Sequence, residues 1–391
     1  MSADAAPTPG GPLRGLRVLE FAGIGPGPFC GMLLADLGAD VLRIDRPQAR
    51  AKSMARDVTG RGKRSVVLDL KNPQDRDSAL ALIGRADVLI EGYRPGVMEG
   101  LGLGPDVALE RNPALVYGRL TGWGQDGPLA HAAGHDINYI ALTGALASVG
   151  EQGRRPVPPL NLAGDYGGGA MYLMMGVLSA LYERQRSGRG QVIDAAMVDG
   201  AASLMSVFSW MQAEGLSRVR RGDNVLDGSA HYYRTYACAD GRFISLGTLE
   251  PQFYELLWHK LGDDAPAVPP TQAKADWARG SEELEAIFKR RTRDAWTQLL
   301  EGSDVCFAPV MEFDEAHEHP HMRARGNFVE AYGVRQPAPA PRFSRTPAAI
   351  QRPPPEAGGG AAAALSDWGV PLSHAPEPQV HPITSLTGMH P

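Results

Sequence analysis

Short apolar runs alternate with helix-like stretches over residues 13–120, and this alternation predicts an α/β protein whose parallel sheet is covered by helices. Two further observations refine the class. A Gly-rich turn follows the first run, at the kind of strand end where open α/β sheets bind ligands. Near residue 235 the pattern switches to period two, which marks a separate, smaller α+β piece.

The predicted strands are RVLEF, VLRID, SVVLDL, DVLIE and LVYGRL, separated by PFCGMLLADLG, PQDRDSALALIGRA and the short PGVMEGLG. From Asp165, DYGGGAMYLMMGVLSALYERQRSG reads as one long helix, capped by Asp165, ended by Gly188 and apolar nearly all round, hence buried. A second apolar helical stretch, AAMVDGAASLMSVFSWMQAEG, follows GQVIDA; so much apolar helix points to a subunit interface or the centre of a large domain. HYYRTYACADGRFISLGTLE reads as a hairpin around Asp240 and Gly241. After it come helical PQFYELLWHKLG and TRDAWTQLLEG, the strand CFAPV and helical FDEAHEHPHMRARG. Residues 335–364 are rich in Pro, Ala and Gly and read as an extended return followed by a loose tail.

The bulk numbers exclude several classes. With 391 residues, 43% apolar and 21% charged, the composition is that of an ordinary globular protein. A net charge of −5 without a long basic run argues against nucleic acid as a partner. No apolar segment is long enough for a membrane span, so no membrane partner is expected. MSADAAPTPGGP lacks the features of a signal peptide, and GMHP is not a peroxisomal address. Cys30, Cys238 and Cys306 are far apart and show no metal-ligand spacing, which with the rest predicts a reducing, cytoplasmic setting.

The turn AGIGPGPFCG resembles a dinucleotide fingerprint, with Asp45 where a ribose-binding carboxylate belongs. The third fingerprint position, however, is Pro28, which has no N–H to offer a phosphate. Basic residues gather at Arg43, Arg46, Arg50, Lys52, Arg56, Arg61, Lys63, Arg64 and Lys71, with Arg94 beyond. They form either a solvated face or a seat for a phosphate-rich small molecule.

Three stretches could carry chemistry. In AGHDINYIALTG, His135 and Asp136 stand at a helix start, where an ordinary hydrogen-bonded histidine and a capping aspartate would also fit. Asp165 is a good N-cap in its own right, yet the Tyr-Gly-Gly-Gly after it destabilises a helix and makes sense where backbone must come close to a ligand. Glu250 precedes Pro251 where a strand gives way to a helix, an ordinary helix entry unless a cation faces it. His317, His319 and His321 resemble a metal cluster, but Pro320 interrupts them and no further ligand completes a site, so no metal is expected. Serine-hydrolase, P-loop and zincin motifs are missing.

Taken together, GPLRGLRVLEFAGIGPGPFCGMLLADLGADVLRIDRP, DVLIEGYRPGVMEGLGLGP, TGWGQDGP, GHDINYIALTGAL, PPLNLAGDYGGGAMYLMMGVL, GRGQVIDAAMVDG, LEPQFYELL and PAPRFSRTP resemble the α-methylacyl-CoA racemase branch of the class III CoA-transferase family. The likeness runs from about residue 12 to about 370. It implies a Rossmann-like large domain with an inserted small α+β domain, in an interlocked homodimer. The boundaries expected are a flexible tail at 1–12, a large CoA-binding domain at 13–200, a linker helix at 201–226, the small domain at 227–310, a second linker helix at 311–327, a return segment at 328–370 and a C-terminal tail at 371–391.

The same resemblance makes coenzyme A, as part of the substrate rather than a cofactor, the ligand beside the first turn. It assigns CoA contacts to Ile24, Arg46, Leu68, Leu70, Lys71 and Arg94, with Arg46 as the phosphate partner; Gly100 departs from the basic residue usual in racemase relatives. It implies that His135 and Asp165 trade a proton across the substrate α-carbon, that the Asp136 N–H stabilises the enolate, and that Glu250 from the second chain orients His135. Tyr139 and Asn161 are expected to support these groups or touch the pantetheine arm. The nearest rival is a class III CoA-transferase with Asp165 as nucleophile, followed by a non-catalytic acyl-CoA-binding protein and, remotely, an NAD dehydrogenase.

Overall fold

The computed structural model describes residues 10–48, 56–216 and 218–371. The tails 1–9 and 372–391, and the basic positions Arg50 and Lys52, therefore lie outside the described residues. Six strands, β1 (Arg17–Phe21), β2 (Asp40–Asp45), β3 (Arg64–Val67), β4 (Val88–Glu91), β5 (Val116–Thr121) and β6 (Gln191–Ala196), form one parallel sheet. Their order, β3-β2-β1-β4-β5-β6, is that of a doubly wound sheet.

Five of these strands are the predicted runs. The sixth, in GQVIDA, has no continuous apolar run to announce it, because its first four residues are exposed or half-buried at the sheet edge. Side-chain alternation splits the core into two layers. Val18, Val41, Val88, Ile90 and Val116 pack under the helices Pro26–Asp36 and Met171–Ser187. Leu19, Leu42, Leu89 and Tyr117 pack under Pro73–Ile83, Pro105–Arg111 and Ala361–Trp368. Leu19 stands opposite Leu42 on one side and Leu89 on the other, which fixes the register of the central strands.

A second sheet, of β7 (Tyr233–Ala237), β8 (Phe243–Gly247) and β9 (Phe307–Pro309), is antiparallel. Its hairpin turns at Asp240 and Gly241 as predicted, with Gly241 at φ 74°. The helices Pro251–Leu261, Trp277–Phe288 and Arg293–Leu300 cover it and share a core built on Tyr236, Leu257, Phe288 and Trp296. The middle helix was not predicted: Gly280 lies inside it, required because a Cβ there would lie 2.5 Å from the ring of buried His231.

The predicted long helix differs in two ways. The α-helix begins only at Met171, after a π-helical segment, Leu162–Ala170, that contains Asp165. Nor is it buried all round within one chain: Leu173, Met174, Val177, Ala180 and Leu181 face the core, while Met171, Met175, Leu178 and Tyr182 are exposed. The following apolar stretch is two helices, Met197–Leu204 and Ser206–Ala213, and helix ends well before 226. Residues 311–327 are not one helix either. Pro320 starts a short helix, Pro320–Arg325, because its missing N–H suits a helix entry and not an interior.

The return segment is more ordered than its composition implies. After the hairpin of β10 (Phe328–Ala331) and β11 (Val334–Pro337), the chain runs along β3, where Gly62 donates to the Arg352 carbonyl (2.9 Å) and Ser65 to that of Gly359 (3.2 Å). Arg61 ties it down from within, with a buried ion pair to Asp36 (2.6 Å) and hydrogen bonds to Gln336 Oε1 (2.8 Å) and the Pro337 carbonyl (2.7 Å). Helix Ala361–Trp368 then docks as part of the core, with the Trp368 indole donating to Asp40 (2.8 Å).

Candidate active site

His135 is the N-cap of helix Asp136–Leu142, in extended backbone, and its N–H donates to Asn138 Oδ1 (3.0 Å). The loop before it is folded tightly over Tyr139: a Cβ on Gly122 or Gly134 would lie 2.1 or 2.7 Å from the Tyr139 ring. The Tyr139 hydroxyl donates to the Gly134 carbonyl, and its ring meets Trp123 edge-on at 4.8 Å. Tyr139 is thus buried beneath the site and engaged there, which corrects the reading of its side chain as a pantetheine contact.

The carboxylate of Asp136 does work that the sequence did not reveal. Its Oδ1 accepts from the backbone N–H groups of both Gly164 and Asp165, each at 2.7 Å. One helix start thereby fixes His135 and, through Asp136, the π-helical turn that carries Asp165. With its backbone held in this way, Asp165 is not an N-cap. Its Oδ2 accepts from Asn161 Nδ2 (3.3 Å) and lies 3.3 Å from where a Gly25 Cβ would stand, beside the first glycine turn. Asn161 accordingly serves as a partner of the carboxylate.

Partial burial raises the Asp165 carboxyl above the usual aspartate range, and the charge of Asp136 adds to the rise; the Asn161 hydrogen bond and the charge of His135 oppose it. Asp165 and His135 are therefore within electrostatic reach of one another. Aromatic rings line the turn beside Asp165, with Tyr166 packed on Phe29 at 4.5 Å between ring centres and tilted by 34°.

The glycines after Asp165 have a packing reason. A Cβ on Gly168 would lie 2.7 Å from the Ala201 N–H nitrogen, one on Gly169 2.8 Å from Met197, and one on Gly200 1.9 Å from the Gly168 carbonyl oxygen. Helix Met197–Leu204 comes up against this backbone, so Gly168 and Gly169 serve close helix packing, not the ligand approach read from the sequence.

At the first turn, Ile24 is exposed beside the site, and the Arg46 guanidinium lies over the Tyr93 ring at 5.2 Å. The Tyr93 N–H donates to the buried Glu91 carboxylate (2.7 Å), which also accepts from Arg119 (2.9 Å). Lys71 and Arg94 are exposed and Leu70 is half-buried. Leu68 is 7% exposed and packs into the core, so its side chain is not a contact surface. The basic gathering divides: Arg43, Arg61, Lys63 and Arg64 are ion-paired to Asp45, Asp36, Glu20 and Asp40, which leaves Arg46, Arg56, Lys71 and Arg94 among the described residues for an anion. Asp45 accepts from Ser65 (2.5 Å) and Arg43 (2.9 Å), an engagement that takes it out of any ribose-binding role. Gly100 opens onto empty space.

Glu250 is the exposed N-cap of helix Pro251–Leu261, and its charge acts on Cys306. Among the described residues, no hydrogen bond or ion pair joins it to His135 within the chain. His319 accepts from the His321 N–H (3.3 Å) and pairs with Glu301 (2.8 Å), so the histidine run is a helix entry. Among the described residues no cluster of three potential ligands could hold a metal. Among the described residues no helix is long and apolar enough to cross a membrane.

Comparison with known proteins bears on this site. The model for CoA-transferase family III matches residues 13–360. The chain is 48% identical over 337 residues to the α-methylacyl-CoA racemase of Mus musculus, covering 86% of this chain and 87% of that one. It is 46% identical over 340 residues to the α-methylacyl-CoA racemase of Homo sapiens, with the same coverage of both chains. A crystal structure of a CAIB/BAIF family protein from Brucella suis superposes with a TM-score of 0.79 at 27% identity, covering 92% of this chain and all of that one. The chain belongs to CoA-transferase family III.

Proposed function

We propose that this chain inverts the configuration at the carbon next to the thioester carbonyl of 2-methylacyl-CoA esters. The observation that supports the proposal is the joint anchoring of His135 and Asp165 by one helix start: His135 caps the helix, and Asp136 beside it accepts from the backbone of Asp165. The names of the two mammalian relatives support the substrate class.

For one enantiomer, the Asp165 carboxylate takes the α-proton and the electron pair moves onto the thioester oxygen. The His135 imidazolium then returns a proton to the opposite face. For the other enantiomer the two groups exchange roles. The enolate oxygen accepts from the Asp136 N–H, a first-turn donor without an intrahelical partner. One proton leaves, another arrives and no electron is transferred, so the reaction calls for no redox cofactor. The raised carboxyl of Asp165 brings its proton affinity closer to that of imidazole, which suits a pair that must reverse.

Arg46, held over Tyr93, takes a CoA phosphate, with Lys71 and Arg94 exposed on the loops after β3 and β4 and Ile24 beside the pantetheine arm. Glu250 is delivered from a second copy of the chain in an interlocked homodimer, where the antiparallel unit acts as a small inserted domain. That arrangement also covers the exposed faces of the helices Met171–Ser187 and Ser206–Ala213. The three free cysteines suit a reducing, cytoplasmic setting.

The test is deuterium incorporation at C2 of a single-enantiomer 2-methylacyl-CoA in heavy water, followed by mass and chirality. Exchange with loss of optical purity and no added acid is expected. Movement of CoA to an added carboxylic acid without exchange would instead assign Asp165 the role of a transferase nucleophile.

A further inference from the structure

Beneath the glycine turn lies an ion pair that takes no part in the proton transfer. Glu20, near the end of central strand β1, and Lys63, just before β3, are both fully enclosed; Lys63 Nζ donates to both Glu20 oxygens at 2.9 and 2.7 Å. Its third hydrogen bond, at 2.8 Å, goes to the carbonyl of Pro28 in the first turn of helix Pro26–Asp36. The helix closes directly over the pair. A Cβ on Gly31 would lie 1.8 Å from Glu20 Oε2 and 3.0 Å from Lys63 Nζ, so only glycine lets it sit there. Buried Cys30 is beside them, its thiol pushed up to about 12 by burial and by the charge of Glu20.

Such a pair is a poor device for stability alone, since removing two charges from water offsets most of their attraction, and apolar replacements of similar volume are commonly neutral or better. Its position also runs against the helix dipole: an ammonium at the positive end of a helix is unfavourable unless a carboxylate accompanies it. What Lys63 gains there is a grip on the turn. That turn is the wall against which Asp165 rests, through Gly25 at its start and through Phe29 stacked on Tyr166.

We propose that Glu20 and Lys63 are positioning residues: Lys63, neutralised by Glu20, clamps the Pro28 carbonyl and so holds the Gly25–Phe29 turn at the distance that sets Asp165. Asp165 is then fixed from two sides, its backbone by Asp136 and its carboxylate side by this turn. The proposal rests on the reading of Asp165 as a reacting group, but its structural half does not.

The test uses the full chain carrying Glu20→Met and Lys63→Met together, which removes both charges at similar volume; Lys63→Met alone would strand a buried carboxylate and unfold the site. The double variant is expected to keep its melting temperature. Its kcat for C2 exchange should fall about tenfold, with KM for the CoA ester within twofold of the parent, since misplacing a catalytic group by a fraction of an ångström affects the reacting step more than ester binding. Amide hydrogen exchange should accelerate in peptides covering 22–31 and 162–170 and stay unchanged in 233–247. A stable double variant with unaltered kcat and unaltered exchange in both peptides would overturn the proposal and leave the pair a packing feature. If the parent shows no C2 exchange, the racemase reading fails by itself, and the two peptides still decide whether the pair holds the turn.

Discussion

Two positions in this chain present the same local pattern, a short polar residue at the mouth of a helix, and the structure uses them in opposite ways. Thr292 in TRDAWTQLLEG is a true cap: its hydroxyl accepts from the Ala295 N–H at 3.2 Å and has no other duty. Asp165 in GDYGGGAM caps nothing. Its backbone is held by Asp136, the turn around it is π-helical, and its carboxylate is left with one long bond from Asn161. A helix entrance whose backbone is anchored by another residue frees its own side chain for chemistry. That division of labour is the physical difference between the residue proposed to react and the structural one.

The strongest way to break the comparison is to truncate the proposed reacting pair. Asp165→Ala and His135→Ala should each reduce C2 exchange by a factor on the order of 10²–10⁴ while leaving CoA-ester affinity within threefold. Isothermal titration beside the exchange assay separates the two effects, and near-normal turnover in either variant would refute the two-base assignment.

Next in size is Gly200→Ala. Its Cβ would lie 1.9 Å from the Gly168 carbonyl oxygen, so the helix must move away from the π-helical turn. A loss of about 1–3 kcal/mol in denaturant unfolding is expected, together with slower exchange, because the turn carries Asp165. Thr292→Ala should cost about 1 kcal/mol through its lost cap and leave exchange untouched. An effect on turnover there would mean that the cap of this helix bears on how the antiparallel unit delivers Glu250.

The smallest effect sharpens the comparison most. The folded state raises the Asp165 carboxyl, so it prefers the protonated form. The stability that this contributes is complete below the ordinary aspartate value of about 4 and is lost as pH rises through the raised folded value. Asp165→Asn, neutral at every pH, should therefore melt slightly above the parent at pH 7, with the gap closing as the pH falls through the raised folded value and gone below about 4. A site residue that stabilises the fold when neutralised is under functional constraint; no such gain is expected from Thr292.

How much of this was legible in the sequence follows from the reach of local rules. Strands such as VLRID and DVLIE are buried on both faces, so they read as unbroken apolar runs, and five of six were found. GQVIDA lies at the sheet edge with its first residues exposed, and an edge strand does not need such a run. His135, Asp165 and Arg46 were singled out by their surroundings and by family likeness. The Asp136 carboxylate was not, because its partners, Gly164 and Asp165, are 28 and 29 positions away and are backbone groups without a residue signature. Lys63 was counted among basic residues for an anion, since nothing local showed that its counter-charge, Glu20, lies on another strand. The helix Ala361–Trp368 was hidden for a similar reason: its alanines and the Pro and Gly before it look irregular until Trp368 finds Asp40, 328 positions earlier.

The closing of β3 by the return segment has a consequence for synthesis. The outer edge of that strand takes its backbone partners from Arg352 and Gly359, which follow it only after the rest of the sheet and the whole antiparallel unit have been made. Until they emerge, the edge strand of the parallel sheet is uncovered, the condition under which nascent sheets pair with the wrong neighbour. A chaperone that shields this edge would have to remain until the return segment is made, and a chain cut short before Arg352 would leave the edge open to aggregation.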